Sequence, residues 1–476
     1  MNGTAQEKKY NKLMTNTAII AMGTLGSKVL VYLLVRLYTS VLTAAEYSIA
    51  SNITEMATLL IPIVSFGISE AVFRFALDKK YDERSVLSSG IAAFLLGAFF
   101  FPVIILILSG INYFDGYIWL ICIYTASSII HSIFAQFIKA KARFKLFAVQ
   151  GIINTLIMIT CNVIFLIPLN MGVTGYVLSV AVADTLTSVF IFFFCKLWRM
   201  ISPYAVKKQL LGRMLLYSLP LIPNTMSWWI TNVSDRYMIT WMKGDVVNGF
   251  YSAAYKIPTL LMVLIGIFNS AWKYSAVSER SEEEGARFFS NVYEAFLSAI
   301  FGVSAVIIAF SKIISGIMFA SDFRDAWIYI PVLTLAMAFS ALSSFTGTVF
   351  IIEKKGTYSL LTSLIAAILN IALNLLLIPL FDDPLLAAMG AATATLASYF
   401  VMFISRLALS RQLIRYKAHA LCTFLNILTV SVMALTMTLE VPFYPVYQAA
   451  GLAAMLFINR KTVIKALRKL IYEHKN

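Results

Sequence analysis

Among the ionisable side chains inside or at the edges of otherwise apolar stretches, Lys28 included, eight could do chemistry: Arg36, Glu55, Glu70, Arg74, Asp184, Asp235, Arg236 and Lys256. A charge near the centre of a bilayer costs about 2.5–3.5 kcal/mol, so each needs a partner or a purpose. Arg36 falls near the outer end of the first apolar stretch, and Glu55 about two turns into the second. The arrangement recurs further on: Asp235 and Arg236 near the outer end of the seventh stretch, Lys256 about two turns into the eighth. If both sets face one axis they line a cavity with more positive than negative charge, which suits an anionic ligand. Arginine fits phosphate because its planar fork donates two parallel hydrogen bonds, so Arg36, Arg236 and Lys256 are the candidate substrate-binding groups. The alternative is structural: Arg36–Glu55 and Asp235–Lys256 are satisfied ion pairs, or the groups snorkel to the interface. Both readings stay open on the sequence.

Three further features carry chemistry of other kinds. Glu70 and Arg74 lie one turn apart at the inner end of the second stretch, as a cytoplasmic gate or a local helix pair. Asp184 stands isolated in the sixth, a proton or cation site, or a group bonded to a nearby Ser or Thr. Pro220 and Pro223 remove two backbone donors in the first half of the seventh, which must kink or break that helix and offers a hinge.

Other chemistries find no support. Cys122, Cys161, Cys195 and Cys422 show no metal-ligand spacing, and His131, His419 and His474 are scattered, so neither zinc nor a Ser/His/Asp constellation is expected. No phosphate-binding GxxxxGK[ST] loop is present. No cofactor is expected, and coupling to H+ or Na+ is left open. The longest outer joint, near 311–326, is too short for a catalytic domain, so the chain does not read as an enzyme.

The elements that must position these groups are membrane spans. Sixty per cent of the 476 residues are hydrophobic and 13% charged, which leaves nothing for a soluble domain of ordinary size. About fourteen apolar stretches of bilayer length follow one another: 13–37, 47–73, 86–109, 117–138, 147–167, 174–195, 214–240, 249–272, 290–310, 327–350, 358–378, 388–405, 419–439 and 445–458. The net charge of +15 would suggest nucleic acid in a soluble protein, but 31 of the 38 Lys and Arg fall in alternate joints and the two termini. Only Lys243, Lys312 and Arg324 fall in the others, which puts both termini in the cytoplasm by the positive-inside rule. The first stretch reads as an uncleaved insertion signal.

Tyr47-Ser48 recurs as Tyr251-Ser252, Leu166-Ile167-Pro168 as Leu377-Ile378-Pro379, and Gly175 as Gly390. The order implies two six-helix lobes, 1–205 and 206–410, inserted in the same orientation. Residues 411–458 add two spans. The tail 459–476 sets Val463, Leu467, Leu470 and Ile471 at helical spacing among basic residues, an amphipathic helix for the anionic membrane surface.

Together these residues resemble the polysaccharide (O-antigen-type) flippases of the multidrug/oligosaccharidyl-lipid/polysaccharide exporter superfamily, over about residues 15–410. The resemblance is carried in order by 42–47 (LTAAEY), 68–75 (ISEAVFRF), 218–223 (SLPLIP), 234–237 (SDRY), 249–257 (GFYSAAYKI), 373–379 (LNLLLIP) and 390–392 (GAA). Ser48 departs from the glycine usual after that tyrosine. The resemblance implies two bundles around a central cavity opening alternately inward and outward, in a bacterial cytoplasmic (inner) membrane. It implies a polyprenyl-pyrophosphate-linked glycan as cargo, with membrane lipids, and a glycan polymerase or glycosyltransferases, as partners. A lipid II flippase and a cation-coupled multidrug exporter of the same superfamily are the rival readings. An integral-membrane glycan polymerase or ligase would need a larger outer loop.

Overall fold

The computed structural model describes residues 30–32, 34–263, 265, 266, 268, 282–353, 355–414, 416, 419–462 and 464. Most of the first expected span, Lys28 and the tail beyond Ile464 lie outside them. Among the described residues all regular structure is helical. Ten helices there are long and apolar enough to cross a membrane, and two shorter apolar ones, Leu30–Val41 (α1) and Tyr444–Ile458 (α18), accompany them. Fourteen was the expected number. The seventh and eighth expected spans correspond to Ile222–Lys243 (α10) and Asp245–Lys256 (α11), which fall outside the ten. The first is rich in Asn, Ser and Thr besides Asp235 and Arg236, and the eighth expected span runs on past α11 into residues outside those described.

The chain forms two compact units, Met1–Trp229 and Ile230–Asn476. In the first, Ala44–Val64 (α2) starts at a capping box: the Thr43 hydroxyl accepts the Glu46 N–H, and the Glu46 carboxylate accepts the Thr43 N–H at 2.9 Å. The second expected span is not continuous. α2 carries Pro62 and stops at Val64; Phe66 and Gly67 turn left-handed (φ +53° and +63°), and Ile68–Leu77 (α3) follows. Glu83–Ala98 (α4) and Phe101–Ser109 (α5) likewise divide the third span. Gly97 lies so close to the first break that a Cβ there would sit 1.6 Å from the Val64 carbonyl oxygen. The break in the seventh span also comes here. Lys208–Ser218 (α9) ends in a 3-10 turn, Leu219–Leu221, which contains Pro220, and α10 restarts with Pro223 in its first turn. The two prolines therefore break the helix, and the Ser218 hydroxyl donates to the Phe66 carbonyl at 2.6 Å, joining two of the breaks.

Ile118–Ala140 (α6), Phe144–Leu166 (α7) and Gly172–Phe194 (α8) complete this unit, with α8 packed on both others. In the second unit Glu282–Ala309 (α12), Ser311–Met318 (α13), Ile330–Ile352 (α14), Gly356–Leu377 (α15) and Pro384–Leu413 (α16) follow, with α14 and α15 both against α16. Small residues of α16 (Ala387, Ala388, Ala391, Ala392) are fully buried and allow close helix approach. Each repeated glycine lies against the end of the preceding long helix: Gly175 against Phe165, and Gly390 against Leu377. Tyr47 and Tyr251 are both fully buried among other tyrosines, the first with Tyr38 and Tyr176, the second with Tyr255 and Tyr329.

Ala420–Thr438 (α17) and α18 pack on α12. Buried amides link them: Asn459 donates to Asn426 at 2.8 Å and accepts from Ser298 on α12 at 2.7 Å. Where the α17–α18 turn meets α13, Lys312 bonds Glu440 and lies over the Trp327 and Tyr444 rings. Burial alone would lower the Lys312 pKa, but the Glu440 bond and Tyr444 raise it above the ordinary lysine value.

Candidate functional site

The strongest convergence of polar groups in the second unit surrounds Asp235 and Arg236. Gly244, at φ +90°, makes the tight connection that folds α11 back along α10. This puts Tyr251 against Asp235, which is fully buried, and the Tyr251 hydroxyl donates to its carboxylate. Thr395 of α16 donates at 3.1 Å and the Arg236 backbone N–H at 2.9 Å. A second tier holds these donors in place. Asn370 of α15 donates to Thr395 at 3.2 Å, and its oxygen accepts from Ser234 at 2.8 Å and Asn374 at 3.1 Å. Asp235 is thereby a clamp on α10, α11, α15 and α16.

Arg236 is only 3% exposed, and its guanidinium carbon lies 4.6 Å from the centre of the Tyr255 ring. Such stacking on an aromatic face suits a guanidinium held away from bulk water. The Asp235–Lys256 ion pair weighed from the sequence is not made among the described contacts. The register of α11 explains this: Tyr251 and Tyr255, one turn apart, face α10, and Lys256 is rotated about 100° further round. Lys256 is half-buried in the last turn of α11.

In the first unit Arg36 is exposed on α1, and Glu55 is half-buried on α2, its carbonyl accepting the Trp229 indole N–H at 3.0 Å. Glu70 and Arg74 are both exposed on α3. The expected pair between them is not closed among the described residues; Glu70 instead accepts from Gln136 of α6 at 3.4 Å.

Asp184 is not isolated: of its two sequence readings the serine bond is present, and His131, which the sequence left scattered, joins it. Its carboxylate accepts Ser128 at 2.5 Å and Asn154 at 2.9 Å, and His131 Nδ1 lies 3.1 Å from Oδ1. The other ring nitrogen is 2.7 Å from Gln150 Oε1, whose amide nitrogen donates to the Phe147 carbonyl at 3.1 Å. Both ring nitrogens face acceptor oxygens, so the ring that satisfies both is the imidazolium. The result is a nearly buried histidine–carboxylate pair among α6, α7 and α8. Helical spacing was the available signal: Ser128 and His131, Gln150 and Asn154, Asp184 and Ser188 each share a helix face.

Arg406 of α16 was also missed, because it sits at the edge of an expected span. It is buried, donating to Thr362 Oγ1 at 3.0 Å, Ser363 Oγ at 2.8 Å and the Ser343 carbonyl at 3.0 Å. Among the described residues no carboxylate pairs with it, and Gly347 makes the room: a Cβ there would lie 2.9 Å from the guanidinium. Its donors are met by hydroxyls and carbonyls, a structural brace for α14, α15 and α16. Among the described residues no three His, Cys, Asp or Glu side chains group as a metal site requires.

No curated protein sequence matches the chain. Solved structures share its fold. An inward-facing multidrug resistance MATE family transporter of the MOP superfamily aligns with TM-score 0.64 and 15% identity, over 83% of this chain and 99% of that one. The outward-facing conformation of such a transporter aligns with TM-score 0.58 at 15% identity, over 84% and 95%. MATE in a straight conformation aligns with TM-score 0.55 at 15% identity, over 85% and 96%. At these identities the likeness is one of fold, that of a multi-pass membrane transporter. The profile of one sequence family, described as polysaccharide biosynthesis protein, matches residues 13–273, more than half of the chain. The chain therefore belongs to the polysaccharide biosynthesis protein family.

Proposed function

We propose that this transporter moves a polyprenyl-pyrophosphate-linked oligosaccharide from the inner to the outer leaflet of a bacterial cytoplasmic membrane by alternating access. Within the family just given, the observation that carries the reading is the buried Arg236 guanidinium on the Tyr255 face, beside a carboxylate whose oxygens are engaged by Tyr251, Thr395 and a backbone N–H. Asp235 is a structural anchor in this reading, and Arg236 is the group that receives the pyrophosphate, with Lys256 and Arg36 adding positive charge. An inside-negative potential helps, favouring outward movement of an anion by about 2.3 kcal/mol per charge per 100 mV. The His131–Asp184 pair takes the part of proton carrier, since one proton more or less switches it between charged and neutral forms. Pro220 and Pro223 supply the hinge, and Glu70 and Arg74 the cytoplasmic gate.

The test is export of the lipid-linked glycan by Arg236→Ala, scored against the amount of protein in the membrane. Lost export at near-normal protein level is the expected result; normal export removes Arg236 from the site. A multidrug exporter is the second reading, favoured by the MATE-like fold and by the buried Asp184. It predicts cationic dye efflux that survives Arg236→Ala and fails in Asp184→Asn.

A further inference from the structure

At one end of the first unit, the α6–α7 turn and the segment after α8 enclose a cavity of about 220 Å³. Its floor is apolar, formed by Phe137, Ile138 and Leu197, and its rim carries Glu83, Lys141, Arg143 and Cys195. Lys141 Nζ is 2.6 Å from the Glu83 carboxylate and donates to the Ala76 carbonyl at 3.2 Å, which engages two of its three protons. Arg143 is less well satisfied. Among the described residues the side chain of Arg143, which is exposed, makes one hydrogen bond, to the Cys195 thiol at 3.5 Å, a weak acceptor, and no carboxylate pairs with it. The rim therefore holds two cations against one carboxylate.

Backbone adds to that charge. Arg143 stands at the N-terminal boundary of α7, a 23-residue helix whose first turn has no side-chain cap. The free N–H groups of such an end carry partial positive charge and favour anions. Both connections that shape the cavity also use unusual backbone: Ala142 and Lys196 are left-handed at φ +54° without being glycine. Conformations of that kind persist where surrounding structure holds them, often at binding sites.

We propose that this cavity binds the phosphate group of an anionic phospholipid from the adjoining leaflet. Arg143, at the N-terminal boundary of α7, receives the phosphate oxygens, Lys141 adds charge, and the apolar floor takes the first carbons of the lipid. A charged rim over an apolar floor matches a lipid headgroup better than a freely diffusing anion. The site shares no residue with the Arg236 and Asp184 clusters and does not depend on the cargo.

Cys195 supplies a readout that does not depend on transport. In the full chain with Cys122, Cys161 and Cys422 replaced by Ala, the rate of maleimide labelling at Cys195 is measured in detergent. Additions are short-chain phosphatidylglycerol, phosphatidylcholine of equal chain length, or inorganic phosphate. Phosphatidylglycerol is expected to slow labelling several-fold, phosphatidylcholine not, and Arg143→Gln to remove the protection while its unprotected rate stays measurable. Equal protection by inorganic phosphate alone would assign the site to the free anion instead of the lipid. Equal protection by phosphatidylcholine, no protection by either anion, or undiminished protection in Arg143→Gln would overturn the proposal.

Discussion

Arg236, Asp235 and Asp184 show how differently three charges in membrane helices are handled. Arg236 spreads its charge over the Tyr255 face, a contact of about 0.5–2 kcal/mol that any cationic fork of the same length keeps in part. Arg236→Lys is accordingly expected to restore only part of the export lost in Arg236→Ala, because a point charge cannot reproduce two parallel hydrogen bonds. Asp235 depends on neutral donors. Tyr251→Phe withdraws one of them, a bond to a charged group of about 1.5–3 kcal/mol, so thermal unfolding in detergent should come at a lower temperature. An unchanged midpoint would show that the Tyr251 hydroxyl is not part of the clamp. For Asp184, removing His131 leaves a buried carboxylate, at a cost of about 3–5 kcal/mol, and removing the carboxylate leaves the ring without its acceptor. Asp184→Asn and His131→Gln should each lower the amount of folded protein, and the double replacement should recover it while abolishing export driven by a pH gradient. Recovery of both would make the pair purely structural. The charges themselves were visible in the sequence as exceptions in apolar runs. Their partners were not, because residues 131, 150, 154 and 184 meet only when three helices pack.

Helices in this protein are interrupted where the backbone needs it, and only some interruptions could be read beforehand. Pro220 and Pro223 announced theirs. The break after Pro62 was signalled by the proline and by Gly67, but the apolar run continues through both, and hydropathy alone reads one span. The division of the third span at Phe99–Phe100 is marked by Pro102 in the first turn of α5, which has no N–H to offer the Ala98 carbonyl, and by Gly97 before it, but here too the apolar run reads as one span. Close approach at these sites predicts which glycines matter. Gly97→Ala should abolish folded protein, since its Cβ would lie 1.6 Å from a backbone oxygen, whereas Gly151→Ala, with nothing within 4 Å, should be tolerated or stabilise the helix by about 0.5–1 kcal/mol. Membrane-extracted protein analysed by gel filtration distinguishes these results, and a monodisperse Gly97→Ala would contradict the close packing. Pro220→Ala together with Pro223→Ala should let α9 run on into α10. The account expects slowed export with undiminished protein, and unchanged export would remove the hinge.

At the scale of the whole molecule the all-helical membrane character, the broad order of the spans and the family were all legible, because bilayer thickness imposes the first two and ordered motifs carry the third. The number of spans is counted only among the described residues, which leave out most of the first expected span and part of the eighth, and there the polarity of α10 takes it below what apolarity requires. Orientation is testable by cysteine labelling. Lys243 donates to the Phe381 carbonyl at 2.7 Å, which puts it at the same end of its unit as Asp383, and Lys141 lies at the same end of its own as Glu83. Cysteines at 243 and 383 should react with an impermeant maleimide from outside intact cells, and those at 141 and 208 only after permeabilisation; the reverse pattern would invert the assigned topology. The central claim, that the cargo is an anionic lipid-linked glycan held by Arg236, is tested most directly in proteoliposomes. Purified protein is reconstituted with a fluorescent polyprenyl-pyrophosphate glycan, and its arrival at the opposite leaflet is followed with a membrane-impermeant quencher. The account predicts translocation by the native chain and a rate at least about tenfold lower in Arg236→Ala, the loss of one charge-assisted contact. Native protein that transports a cationic dye and leaves the glycan in place, or an Arg236→Ala protein that translocates it at the native rate, would contradict it.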